Sequence, residues 1–250
     1  AQVTIVGLGL LGGSVGLAVQ ADMPGVRVVG YDADADVRAK ARELGLAHSI
    51  AETPVEAVQG ADLVLLAVPV GAMQSSFAAM RVALHPNALL MDVGSTKCDV
   101  VTAAKAALGE RLNCLVPAHP IAGKEVAGIE HAEGTLYQDR RTILTPLPET
   151  AATQISQAQA VWQALGSTVF TMTPEAHDAT FAAVSHLPHL LAFAAVNALV
   201  SQTEGADFLR MAGPGFRDFS RIAGSDPAVW RDILSANQTE VLSQITHFKQ

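Results

Sequence analysis

The chain has 250 residues, half of them hydrophobic and 16% charged, enough length and apolar content for one large or two modest domains and too much for a disordered chain. A net charge of −8 argues against nucleic acid or an anionic membrane as the main partner, but not against a small anionic substrate held in a local pocket. Cys98 and Cys114 are too few for a disulfide framework, and no H-x-H, H-E-x-x-H or carboxylate cluster offers a metal site, so free thiols, a cytoplasmic setting and no metal are expected.

The chain opens on a β-branched apolar run, residues 3–6, which breaks into Gly7, Gly9 and Gly12 before a helical apolar pattern begins. Strand, glycine turn and helix in that order, with G-x-G-x-x-G spacing, form a dinucleotide-binding signature. Gly7 makes the tight turn, Gly9 lets a pyrophosphate approach the backbone, and Gly12 allows the helix to pack closely on the strand. N–H groups at the new helix's N-terminus then face the phosphates. A second strand, residues 27–31, ends at Asp32, 20 residues after Gly12, where such folds place an acid on the adenosine ribose. A carboxylate there favours NAD over NADP; its ordinary alternative is to cap the helix over residues 36–44. Arg38 belongs to the exposed face of that helix, or could in principle hold a phosphate.

Residues 61–68 (ADLVLLAV) and 88–93 (ALLMDV) are continuous apolar runs, the mark of parallel strands covered on both faces. A mostly helical stretch, 70–84, lies between them, and a helix over 99–108 follows. The next strand is expected to begin at 114–117. Strands over 141–145 and 168–173, flanking a helix at 150–165, are expected to extend the same sheet. This alternation predicts an α/β fold with a doubly wound parallel sheet. Beyond Pro174 the β signal vanishes, helices are expected over 175–202 and 227–248, and the domain boundary falls at 172/173. The apolar stretch 182–200 contains Ser185, His186, Pro188, His189 and Asn197, which suits a buried helix lining a site better than a membrane span.

Three polar clusters carry candidate chemistry: HPIAGKE at 119–125, SHLPH at 185–189, and GFRDFSR at 215–221 followed by SDPAVW at 225–230. A histidine on a rigid segment is a candidate base, because its unperturbed pKa of ~6.5 lies near working pH. With GLGLLGGS at 7–14 and DVGSTK at 92–97, these motifs resemble, over nearly the whole chain, the prephenate dehydrogenase family, which includes the arogenate and cyclohexadienyl dehydrogenases of tyrosine biosynthesis.

The resemblance implies oxidative decarboxylation of a cyclohexadiene carrying a hydroxyl at C4 and a carboxylate at C1, with hydride passing from C4 to NAD. It implies that His119 accepts the hydroxyl proton, with Ser95 aligning it. His189 and Arg221 would bind substrate, Arg221 through a carboxylate, and Glu125 would pair with that arginine. Ser185, His186 and Trp230 would line the same region. Cofactor contacts would run over Gly7, Leu8, Gly9, Leu10, Leu11 and Gly12, then Asp32, Val68, Pro69, Ser95 and Lys97; for Lys97 a surface salt bridge is an equal alternative. The helical tail would form a homodimer. Prephenate and arogenate differ only in a keto or amino side chain, and the sequence leaves that choice open. A β-hydroxyacid dehydrogenase would want a catalytic lysine on the first tail helix, which is absent, and a non-catalytic NAD-binding protein would not need the histidines.

Overall fold

The computed structural model describes residues 1–124, 126 and 128–250. Strand β1 (Gln2–Val6) leads through the glycine turn into α1 (Leu10–Asp22), followed by β2 (Arg27–Tyr31), α2 (Ala35–Glu43), β3 (Ser49–Ile50), α3 (Pro54–Val58), β4 (Leu63–Leu66), α4 (Met73–Met80), β5 (Leu89–Asp92) and α5 (Cys98–Leu108). The five strands form one parallel sheet in the order β3-β2-β1-β4-β5. The chain reverses direction across the sheet between β1 and β4, so the carboxyl ends of those two strands flank the switch point where open α/β sheets bind ligands.

Both faces are covered, as the unbroken apolar runs require. Ile5, Leu63, Leu65, Leu89 and Met91 enter one core cluster with Trp162 and Tyr137. The alternate residues Val6, Val64, Leu66 and Leu90 enter another with Met73, Phe77 and Val100. The period of two along each strand sorts neighbouring side chains to opposite sides.

The later strands depart from expectation. β6 (Ala118–Pro120), β7 (Arg141–Leu144) and β8 (Thr168–Thr171), with α6 (Ala152–Ala164) before β8, form a separate three-stranded sheet. β6 runs antiparallel to β7, and β8 parallel to it. Backbone contact with the first sheet is a bridge between Leu90 and Leu115, where the Val116 N–H donates to the Leu90 carbonyl at 2.9 Å. Pro117 faces β7, its carbonyl accepting from the Thr145 N–H at 2.9 Å, and the next N–H on the β5 side, that of Ala118, goes to the Asp92 side chain at 3.0 Å and not to the main chain. The strand expected at 114–117 therefore forms three to four residues later, against a different partner.

Helices α7 (Pro174–Phe181) and α8 (Leu187–Val200) are joined by a single wide π-turn, Ala182–His186, in which the Leu187 N–H reaches back five residues to the Ala182 carbonyl. Pro188 explains the widening: it has no N–H for the Val184 carbonyl four residues back, and its ring would crowd that turn. α9 (Gly205–Arg210), α10 (Pro214–Ser220), α11 (Pro227–Ala236) and α12 (Gln238–Phe248) complete the chain. Two compact units result, Ala1–His177 and Asp178–Gln250. The first turn of α7 thus belongs to the first unit. The helical run Pro174–Val200 is long and apolar enough to cross a membrane by length and composition alone. Within the chain much of its apolar surface is uncovered, Val184 and Val200 being more than half exposed.

The glycines of the first turn are not equivalent. Gly7 has φ +94°, and a Cβ there would lie 2.4 Å from the Ala67 carbonyl oxygen; a Cβ on Gly12 would lie 1.8 Å from the Gly7 oxygen. A Cβ on Gly9 would meet nothing within 4 Å. Gly12→Ala should therefore lower the melting temperature by roughly 2–12 °C, an overpacking cost of about 1–3 kcal/mol in a chain of this size. Gly9→Ala should leave it within about 2 °C, and equal effects in thermal unfolding would overturn this assignment.

Candidate active site

The glycine turn is bound to the end of β2 by Asp32. Its Oδ2 accepts from the Leu8 N–H at 2.8 Å and its Oδ1 from the Asp34 N–H at 2.9 Å. The helix-cap alternative for Asp32 falls to its neighbour: Asp34 accepts from the N–H groups of Asp36 and Val37 and caps α2. Arg38 is not a solvated helix residue. It donates to the carbonyls of Asp32 and Ala33 at 3.0 and 3.1 Å and pairs with Glu52, which also holds Arg42.

Around the turn, α1 begins at the exposed Gly9 with no side-chain cap, which leaves its first N–H groups for a ligand. The residues present thus fit a dinucleotide: a cradle open at Gly9, uncapped donors, and a positioned carboxylate. Several expected contacts belong to the backbone only. The Leu8 side chain is fully buried, while Leu10 and Leu11 pack against the core and the Leu11 carbonyl accepts from the Tyr137 hydroxyl at 2.7 Å. Val68 and Pro69 follow β4, the Val68 nitrogen lying close to the space a Gly7 Cβ would take.

The loop after β5 carries Gly94, Ser95, Thr96 and Lys97, with Ser95 half-buried. For Lys97 the surface-salt-bridge alternative is wrong: the residue is buried. Its ammonium is wholly buried, pairs with the equally buried Asp92, and donates to the Ala118 carbonyl at 2.7 Å. Asp92 Oδ1 accepts from the Ala118 N–H at 3.0 Å, and Oδ2 from the Gly94 N–H at 2.8 Å.

In an antiparallel strand, successive residues turn their N–H and C=O groups to opposite sides. His119 turns its backbone toward β7, pairing with Ile143, so Ala118 turns away from β7, past the end of β5. The ion pair supplies there the donor and acceptor that a strand would have supplied. His119 is thereby fixed on both sides, and Pro120 restricts its backbone to the extended region. Its ring is half-buried, with Nδ1 2.8 Å from Nε2 of the fully buried His177, the two rings meeting edge to face at 61°.

In the second unit the tail histidines converge on Trp230. His189 stacks on the indole with centroids 3.5 Å apart and planes at 16°, and His186 meets it edge-on at 6.1 Å. His189 Nδ1 lies 2.9 Å from the Ser185 carbonyl, which can only accept. That nitrogen therefore carries the hydrogen, and Nε2 is an acceptor. Burial holds the His189 pKa below its ordinary value; the Ser185 bond opposes this, and the nearby Arg221 charge adds to it. His186 is buried, and the amide nitrogen of buried Asn237 reaches both its Nδ1 at 3.1 Å and the Asp178 carbonyl at 2.8 Å. The carbonyl fixes the amide's orientation, so His186 Nδ1 accepts and Nε2 carries the hydrogen. Arg221 opens the 3₁₀ turn Arg221–Gly224 and is exposed. Glu125 lies outside the described residues.

Three residues of these clusters escaped the sequence reading. Asp92 had a signal, an ionisable residue inside the apolar run ALLMDV. His177 and Asn237 had none, since each matters only through a partner more than fifty residues away.

Residues 15–171 match the family model described as prephenate dehydrogenase, nucleotide-binding domain. Residues 173–250 match prephenate dehydrogenase, dimerization domain. The chain belongs to the prephenate dehydrogenase family. It is 37% identical to the cyclohexadienyl dehydrogenase of Zymomonas mobilis, over 99% of this chain and 84% of that protein. It is 34% identical to the prephenate dehydrogenase of Bacillus subtilis, over 97% of this chain and 66% of that one. Among solved structures, the prephenate dehydrogenase of Aquifex aeolicus in complex with hydroxyphenyl propionate and NAD+ superposes with a TM-score of 0.91 at 34% identity, covering 99% of this chain and 86% of that one. The protein is accordingly an oxidoreductase with a nucleotide-binding domain of the NAD type.

Two measurements test this geometry. Lys97→Met should cost about 3–5 kcal/mol in urea unfolding, because it strands a buried carboxylate and a backbone acceptor; a loss below ~1 kcal/mol would reduce the pair to the rank of a surface bridge. For His189, both folded and unfolded chains carry a neutral ring well above pH ~6.5. As the pH falls through that value the unfolded chain protonates first, so this residue's contribution to stability declines. By NMR its titration midpoint should lie below ~6.5 and rise toward it in Trp230→Ala, where the covering indole is gone. A midpoint unmoved by that change would sink the assignment to burial.

Proposed function

We propose that the protein is an NAD-dependent prephenate dehydrogenase of tyrosine biosynthesis, converting prephenate to 4-hydroxyphenylpyruvate and CO2 in the cytoplasm. The observation that carries this reading is His119, an imidazole on a strand fixed by a buried ion pair, in the same compact unit as a glycine turn left open at Gly9. NAD, when bound, takes the hydride from C4 of the ring. Asp32, positioned by two backbone N–H groups, holds the adenosine ribose. Arg38 is engaged by Glu52 and two carbonyls, which supports NAD over NADP.

His119 accepts the C4 hydroxyl proton as the C–H bond breaks, and Ser95 aligns it. Arg221 grips a substrate carboxylate, a role suited to a guanidinium's paired donors. His189 offers its Nε2 lone pair to a donor on the substrate, and Trp230, Ser185 and His186 shape that surface. Departure of the C1 carboxylate as CO2 sends its electron pair through the ring to the C4 oxygen, which takes the proton back from His119, and the aromatic ring formed makes the step irreversible. The exposed apolar side chains of the tail, Val184 and Val200 among them, and the match to a dimerization domain support a homodimer.

A dual-specificity cyclohexadienyl dehydrogenase, accepting arogenate as well, is the second reading; similarity to the Zymomonas mobilis enzyme of that name favours it. Absorbance at 340 nm with NAD and each substrate in turn separates the two through kcat/KM. His119→Asn should lower kcat on the preferred substrate by roughly 10²–10⁴-fold with NAD affinity near normal. Activity retained within a few-fold would remove His119 from the role of base.

A further inference from the structure

We infer that His177 is a positioning residue for His119, which selects the imidazole tautomer able to take a proton from the substrate. The inference rests on His119 being the base. The contact is between His119 Nδ1 and His177 Nε2 at 2.8 Å, and His177 is wholly buried. Both rings stand on rigid backbone. His119 is in β6 between a pinned alanine and a proline. His177 lies in the first turn of α7, where its N–H donates to the Thr173 carbonyl at 2.9 Å and the Thr173 hydroxyl accepts from the Ala176 N–H at 3.1 Å.

A hydrogen bond between two ring nitrogens contains one proton, on one side or the other. His119 engages Nδ1 in this contact, so Nε2 is the nitrogen that would take a proton from a substrate hydroxyl. For Nε2 to present a lone pair, the neutral ring must carry its hydrogen on Nδ1. His119 therefore donates, His177 Nε2 accepts, and the hydrogen of the neutral His177 ring sits on its Nδ1. The opposite tautomer of the pair would place a hydrogen on His119 Nε2 and close it to the substrate. When His119 takes the hydroxyl proton it becomes an imidazolium, and its bond to His177 becomes charge-assisted, which favours the protonated form. The substrate proton goes no further than His119 Nε2, from which it returns to the C4 oxygen as the ring becomes aromatic, and it is not passed on to His177. This is the orienting role that a carboxylate plays behind histidine in hydrolytic triads, filled here by a second imidazole.

The test has a spectroscopic arm and a kinetic arm. In the unaltered enzyme, imidazole 15N NMR above the titration range should show His119 with a protonated Nδ1 and an unprotonated Nε2. The reverse would overturn the inference without any variant being made. His177→Leu, which removes the acceptor, should shift that signal toward the other tautomer and lower kcat ~10–100-fold, with KM for NAD and prephenate within about threefold. His177→Gln, whose amide oxygen can stand near the lost Nε2, should recover most of that loss. A His177→Leu enzyme with unchanged kcat and tautomer, alongside an inactive His119→Asn, would overturn the positioning role alone. An active His119→Asn would overturn the assignment of the base instead.

Discussion

The buried pairing of Asp92 with Lys97 is the constraint on which the arrangement of the first unit depends. Taking two charges out of water is costly, and such a pair is tolerated only when further hydrogen bonds satisfy what the partners leave over. Here those bonds come from Ala118 on both its backbone groups and from Gly94. The pair serves as a surrogate strand at a place where the main chain cannot continue the ladder. It also ties the loop bearing Ser95 to the residue preceding His119. Replacing it with hydrocarbon would leave two backbone groups of Ala118 without partners, so the usual gain from such a swap does not apply.

Much of the first unit was legible because its signals are local. A glycine turn between a β-branched run and a helix, then apolar runs separated by helical patterns, specify a parallel sheet with few alternatives. The division into two sheets was not legible. It turns on one carboxylate, Asp92, that takes the N–H a further rung would have used, and this does not alter the periodicity of residues 141–145 or 168–173. The π-turn left only Pro188 as a trace, since a widened turn changes no composition.

The site was legible as a set of residues and less so as a set of roles. His119, His189, His186 and Trp230 stood out by type and motif, and the structure groups the last three around one indole. The surface salt bridge offered for Lys97 is instead a buried one, because a lysine's destination depends on whether a carboxylate waits within reach. Asp32 and Asp34 were separable only by geometry: one holds the glycine turn and the other caps the helix. His177 was invisible for the same reason that distant partners generally are.

The widened turn at Ala182–His186 makes this stretch of helix sensitive to its residue count. An α-helix advances about 100° per residue, so removing one residue here changes the phase between α7 and α8. The same deletion would rotate the Asp178 side of the turn by that angle relative to His186. Asn237, which bonds both the Asp178 carbonyl and His186, would lose one of them. Substitutions within the turn are therefore judged by packing, but insertions and deletions by phase. The segment keeps the length that its polar clamp requires.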